Sequence, residues 1–267
     1  MCALGLMTSV VSAQLPGSLS NGLVAYYTFD GTFANLAPTV SIFNNQGATF
    51  GSGFLAGSQA LSFTEGQYGT VEGLGSYISN SVTVSAWYKF SPGRNQPLEY
   101  GSGFKAVPFS GTLPDGSNPT FRVNVSGSPF NYVDLNLGDG TVPLTSTGYQ
   151  VSMDQWYYLT VVASGGPSPS WAFYVNGVSE ASGTGSVPNV LNFNYSYGLG
   201  ATIDGGDDYF GTQSRGLIDN IAFYDRALSP TDVQDLYNAE AVPEPSTYAL
   251  LLLSGAASLY ALKRRKS

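Results

Sequence analysis

Residues 214–238 read SRGLIDNIAFYDRALSPTDVQDLYN, and their reading decides the fold. The first part, 216–224, is a short run rich in Ile, Phe and Tyr, the composition of a β-strand. A helix is expected over 230–238. Ser229 is placed to cap it, Pro230 suits its first turn, and Asp232 stands where a capping-box acid belongs. Within the strand, Asp219 shares parity with Leu217, Ile221 and Phe223, which predicts a carboxylate among core side chains. An unpaired buried charge costs several kcal/mol, so Asp219 needs a cation, a basic partner or several backbone donors.

Outward from this stretch the same strand-like composition recurs. Segments rich in Val, Ile, Phe, Tyr and Thr alternate with Gly, Ser, Pro and Asn, while helical periodicity is nearly absent. Strands are expected at 23–29, 59–63, 68–72, 82–90, 120–126, 131–136, 156–163, 170–176, 190–199 and 216–224. In Val82-Thr83-Val84-Ser85-Ala86-Trp87-Tyr88-Lys89-Phe90 the even positions are apolar and the odd ones mostly polar, which predicts a half-buried strand. Trp171–Val175 runs into Asn176-Gly177, a strong hairpin signal, and returns through Val178-Ser179-Glu180. The stretch 91–118 is loop-rich and no element is assigned to it. No internal repeat is present.

Composition closes off several chemistries. The 267 residues include 18 acids, 10 bases, no histidine and one cysteine, for a net charge of −8. Without histidine, Ser-His-Asp and Cys-His catalysis and zinc–imidazole sites are excluded. The single Cys2 excludes a disulfide framework and a structural thiolate metal site. Four of the bases are Lys263, Arg264, Arg265 and Lys266, so the chain before them sets 18 acids against six bases and would repel nucleic acid.

Both ends read as addresses. Ala3–Val11 is apolar, and Val11-Ser12-Ala13 before Gln14 fits a signal-peptidase site, making 1–13 a signal peptide. This leader is short and has no preceding Lys or Arg, as a start codon assigned too late would produce. At the other end Val242-Pro243-Glu244-Pro245 precedes the uncharged segment Ser246–Leu262 and a basic tail at 263–266. As a helix that segment spans about 26 Å, enough for a membrane's hydrocarbon core. The tail would stay in the cytoplasm by the positive-inside rule. Together, 242–267 resembles the PEP-CTERM sorting signal of Gram-negative bacteria. The resemblance implies that Pro243, Glu244 and Pro245 are read by an exosortase, a cysteine transpeptidase-like membrane enzyme that removes the transmembrane helix. The mature protein would then leave a transient membrane anchor for the cell surface, outer envelope or extracellular matrix.

Between these ends, roughly 230 residues suit one β-sandwich domain, 14–240. GLVAYYTFDG (22–31), QALSFTEGQYGTVEG (59–73), VTVSAWYKF (82–90), QWYYLTVVASGG (155–166), WAFYVNGVSEASG (171–183) and the stretch at 214–238 follow in order. This series resembles the laminin-G-like, concanavalin-A-like jelly roll of bacterial surface proteins and lectins. It implies an all-β sandwich of two antiparallel sheets. It also implies a structural calcium near the sandwich rim held by the matching aspartates, Asp30 and Asp219. Calcium takes hard oxygens and suits an acidic, histidine-free exported chain.

Other chemistry finds less support. Glucanases of this fold place two glutamates on one strand as nucleophile and acid, and that spacing is absent, so no catalytic residue is assigned. Glu65, Glu72, Glu99, Glu180 and Glu240 stand apart in the sequence. The run Asp204-Gly205-Gly206-Asp207-Asp208 lacks EF-hand spacing and reads as a hairpin loop. Asn192, Asn194, Tyr195, Tyr197, Asp207, Asp208 and Tyr209, in and around it, are the candidates for a rim site for sugar, against the reading of Tyr and Phe at period two as core. Trp87, Trp156 and Trp171 are read as core. The expected role is a non-enzymatic exported protein that binds carbohydrate, exopolysaccharide or another matrix component. The alternatives are a structural coat without a ligand site and, third, a glycoside hydrolase.

Overall fold

The computed structural model describes residues 15, 17–39, 41–64, 67–91, 106–111, 121–125, 132–136, 145–185, 197–200 and 216–241. In chain order the strands are β1 (Leu23–Tyr27), β2 (Ile42–Gln46), β3 (Thr49–Ser52), β4 (Gln59–Phe63), β5 (Tyr68–Glu72) and β6 (Ser81–Phe90). They continue with β7 (Ala106–Gly111), β8 (Phe121–Val125), β9 (Tyr132–Asn136), β10 (Thr145–Gln150) and β11 (Trp156–Ser164). The last are β12 (Ser170–Val175), β13 (Val178–Thr184), β14 (Tyr197–Leu199) and β15 (Gly216–Tyr224), followed by helix α1 (Pro230–Ala241).

One sheet runs β13-β12-β11-β6-β15-β4-β3, and the other β10-β9-β8-β7-β14-β5-β2. All named pairings are antiparallel. The far edge of β15 is shared: Gly216–Ile218 pair with β4, whereas Ile221–Tyr224 pair with β1. Between the two inner faces lies one core that includes Val84, Tyr88, Leu159, Phe173, Leu199, Ile218 and Phe223. This is the sandwich that the alternating sequence predicts.

The first sheet is covered on its other face as well. A second cluster, with Trp87, Tyr158, Tyr174, Ala222 and Tyr224, lies beneath Val233 and Leu236 of α1 and beside Leu19 and Ala37. This corrects the half-buried reading of 82–90, because every residue from Val82 to Tyr88 is buried. The hydroxyls of Thr83 and Ser85 on its outer face find partners within that layer. Thr83 donates to the Arg226 carbonyl at 2.9 Å and accepts the Leu228 amide at 3.0 Å. Tyr158 donates to Ser85 at 3.2 Å.

The helix starts as the capping box predicts. Ser229 Oγ accepts the Asp232 amide at 3.2 Å, and Asp232 Oδ2 accepts the Ser229 amide at 3.1 Å. It ends three residues beyond the expected 238. The first strand is shorter than 23–29 because Phe29 takes a left-handed φ of 57°, which no continuing strand tolerates. Strands β2, β3 and β10 and the far half of β13 were not expected. All lie at least partly open to solvent, and none has a continuous apolar face to reveal it. Of the strand expected at 190–199, residues 197–199 are strand and 190–196 lie outside the described residues. Strand β7 falls inside the stretch left without an element.

Candidate functional site

The handover between β4 and β1 on the edge of β15 is marked by a bulge. Asp219 pairs with Trp87 and Ala222 with Ser85, so Asn220 and Ile221 together oppose Ala86. Asn220 absorbs the extra residue with φ 50°, a left-handed conformation that Asn tolerates better than most. The bulge breaks the expected parity. Ile218, Ile221 and Phe223 face the inter-sheet core, but Asp219 leaves on the outer face beside Trp87. Asp219 is therefore buried, at 2% exposure, but not among the residues the alternation predicts.

Here the chain supplies donors from the loop between β3 and β4. The Phe54 amide donates to Asp219 Oδ2 at 2.8 Å, and Ser58 Oγ donates to the same oxygen at 3.4 Å. Gly53 makes this approach possible, since a Cβ there would sit 2.7 Å from Asp219 Oδ2 and 2.1 Å from Ser58 Oγ. Asp219 Oδ1, by contrast, has no hydrogen-bond partner among the described residues. Burial pushes the Asp219 carboxyl up to about 7. The Asp30 carboxylate adds to the rise, while the Phe54 and Asn220 amides and Ser58 oppose it.

Asp30 arrives at the same gap from the other side. It follows β1, and its Oδ1 accepts the amide of Gln59, the first residue of β4, at 2.7 Å. Burial raises its carboxyl, against the Gln59 amide. Two carboxylates predicted from separate segments are thus brought within electrostatic reach, both bound to the segment 54–59. Of the three remedies that Asp219 requires, backbone donation is partly met. The neighbouring base Arg226 is engaged elsewhere, in an ion pair with Asp232 at 3.0 Å. Among the described residues no group of three or more acids is arranged to hold a metal.

A further acid, read from the sequence as isolated, belongs to this neighbourhood. Glu240 is fully buried under α1, where Tyr26 Oη donates to its Oε1 at 2.8 Å and Asn220 Nδ2 donates to its Oε2. Burial lifts its carboxyl to about 8, opposed by those two donors and reinforced by Asp219. The spacing Val233, Leu236, Glu240 puts it on the buried face of α1, a signal hidden by ending the helix at 238.

Over Trp87 lies Phe54, stacked with ring centroids 3.5 Å apart, and Trp156 meets Phe54 edge-on at 6.2 Å. Trp87 and Trp171 are buried as expected, whereas Trp156 is only partly so. Of the expected sugar-binding residues, Tyr197 is corrected to core: its ring is buried between the sheets, edge-on to Phe223 at 4.9 Å. Asn192, Asn194, Tyr195, Asp207, Asp208 and Tyr209 lie outside the described residues, as do Pro243, Glu244, Pro245 and the segment 246–262. Among the described residues no helix is long and apolar enough to cross a membrane.

Comparison with known proteins places this architecture. Domain 4 of AbnA, an extracellular GH43 arabinanase from Geobacillus stearothermophilus solved with arabinotriose, superposes with a TM-score of 0.56 at 20% identity, covering 80% of this chain and 98% of that one. The receptor-binding domain of botulinum neurotoxin type G matches at 0.59 and 15% identity, over 82% of this chain and 51% of its own. A structure of botulinum neurotoxin type C, whose cell entry depends on two ganglioside molecules, matches at 0.58 and 13% identity, over 83% and 52%. The chain thus spans about half the length of the toxin chains. No curated protein matches the sequence. Residues 63–234 match the family model described as the concanavalin A-like lectin/glucanases superfamily, Laminin_G_3, so with its two facing antiparallel sheets the chain belongs to that superfamily.

Proposed function

We propose that this chain is a non-enzymatic, exported lectin-like module that binds carbohydrate, with extracellular polysaccharide as its natural ligand class. Its membership of the lectin/glucanase superfamily carries the reading. Solved relatives of the same fold include one crystallised with arabinotriose and one whose cell entry depends on gangliosides. In the sequence, Asp207 and Asp208 of the acidic run 204–208, with Tyr209 after it and Asn192, Asn194 and Tyr195 before it, offer the amide, carboxylate and aromatic groups that sugar recognition uses. A glycan array probed with the purified protein, with and without calcium, tests this. Binding to a defined glycan class that Tyr209→Ala and Asp207→Asn abolish supports it, whereas silence in both conditions favours a coat protein without a ligand site.

A structural calcium at Asp219 and Asp30 belongs to the same proposal. The residues fit the ion: one buried carboxylate oxygen has no partner among the described residues, and a second carboxylate stands at the same gap between β1 and β4. Calcium takes six to eight oxygens, so backbone carbonyls and water would complete its shell. Its contribution there would be to neutralise two acids that burial disfavours in their charged form, and to offset the rise that the Asp30 carboxylate causes at Asp219.

The export route is the last part. Pro243, Glu244 and Pro245, followed by the apolar segment 246–262 and its basic tail, support sorting by an exosortase to the envelope or matrix. Replacing the three residues with alanine should leave the protein in the membrane fraction, and normal release of that variant would instead indicate a plain anchor.

A further inference from the structure

We propose that Glu240 is a proton-operated latch, holding α1 on the outer face of the first sheet while its carboxyl is protonated and loosening it on ionisation. Three elements converge on this group: α1, which carries it; β1, through the Tyr26 hydroxyl; and β15, through the Asn220 amide. It is completely buried in the last turn of α1, on the helix face that also buries Val233 and Leu236. The groups facing it are neutral or acidic: Tyr26 of β1, Asn220, Asp219 and Tyr224 of β15, and Tyr158 of β11. Among the described residues no cation faces it, so an ionised Glu240 would be a buried charge held, among those residues, by two neutral donors. The nearest base along the chain, Arg226, is held by Asp232 at the opposite end of the helix.

A protonated carboxyl satisfies the same site without that cost. One oxygen accepts from Tyr26, and the hydroxyl donates to the Asn220 amide once that side chain presents its oxygen. Undocking the helix returns Glu240 to water and to its ordinary value near 4.5, against about 8 when docked. The docked state therefore binds the proton more tightly. Docking is strongest below the ordinary value, weakens about tenfold per pH unit across the window between the two, and levels off above it. Glu240 forms no hydrogen bond with Asp219 or Asp30, and the Asp219 carboxylate acts on it only as the smallest contribution to the rise, behind burial, so neutralising Asp219 would narrow the window without removing the slope.

Hydrogen–deuterium exchange of the 230–241 segment in the full chain, corrected for intrinsic rates and recorded in chelator from pH 5 to 9, reads the latch directly. Wild-type protection of this segment should fall about tenfold per pH unit up to pH 8 and then flatten, while β6 and β11 stay protected. Glu240→Gln should make the segment's profile flat, and Asp219→Asn should leave its slope in place. Tyr26→Phe removes a donor that favours the ionised form, so the slope should extend to higher pH. A flat wild-type profile would overturn the latch without any variant. A slope that survives Glu240→Gln, or vanishes in Asp219→Asn, would overturn it too.

Discussion

Asp219 and Asn220 are consecutive in β15, yet both side chains leave the strand on the same face. Asp219 meets the Phe54 amide at 2.8 Å, and Asn220 donates to Glu240 under α1. A regular strand would send them to opposite faces, and only the bulge at Asn220 permits the pairing. One irregular residue thereby joins the gap between β1 and β4 to the anchor of the C-terminal helix.

The first prediction concerns the gap. If calcium sits at Asp219 and Asp30, saturating it near 100 times its dissociation constant adds about 2.7 kcal/mol of stability. For a domain of this size that is a rise in Tm of roughly 5–10 °C. Asp219→Asn should lose the rise while remaining folded, because the amide still accepts the Phe54 amide. Calorimetry in calcium and in chelator decides it, and superimposable wild-type curves would remove the ion from this site.

Much of this was legible before any coordinates. Parity singles out Asp219 and the family resemblance adds Asp30, and the structure places both carboxylates against the segment 54–59. The argument for Asp219 nevertheless succeeded through the wrong face, since a bulge leaves no mark in the apolar pattern. The strand at 82–90 was misjudged for a related reason. Alternation reports polarity, and Thr83 and Ser85 are polar yet buried because a helix and neighbouring loops cover them. Glu240 was missed because a buried acid inside a helix of mixed polarity resembles an exposed one until the helix has a partner.

The capping box makes a pH-dependent prediction. Hydrogen bonding to Arg226 holds Asp232 below the usual carboxylate range, helped by Ser229 and opposed by slight burial. A carboxyl lowered by folding gives stability that is present above its unfolded value, near 3.8, and is lost as pH falls through the lower folded value. Asp232→Ala should cost about 1 kcal/mol at pH 7, and that penalty should shrink as acid protonates the wild-type carboxyl. Urea titrations at pH 7 and pH 2.5 measure both, and an undiminished penalty at pH 2.5 would exclude the ionised cap.

Helix α1 should be held chiefly by burial. Leu236 is fully enclosed, so Leu236→Ala is expected to cost about 2–5 kcal/mol, whereas Leu36→Ala, at a side chain 50% exposed, should stay within about 0.5 kcal/mol. Denaturation midpoints compare them. Similar costs would mean that the helix does not dock as described.

The hairpin at Asn176-Gly177 separates two roles of one side chain. Both residues are left-handed, with φ of 51° and 78°, as a type I′ turn demands. Asn176 also extends the ladder: its amide donates to the Tyr158 carbonyl at 2.8 Å, and its Oδ1 accepts the Tyr158 amide at 2.9 Å. Asn176→Ala loses the acceptor and strains the backbone, a combined cost of about 2–4 kcal/mol. Asn176→Gly keeps the turn but not the acceptor, and should cost less. Asn176→Asp keeps both and should cost least. Chemical denaturation of the three gives the order, and a glycine variant as stable as the aspartate would mean that the Tyr158 amide gains nothing from this side chain.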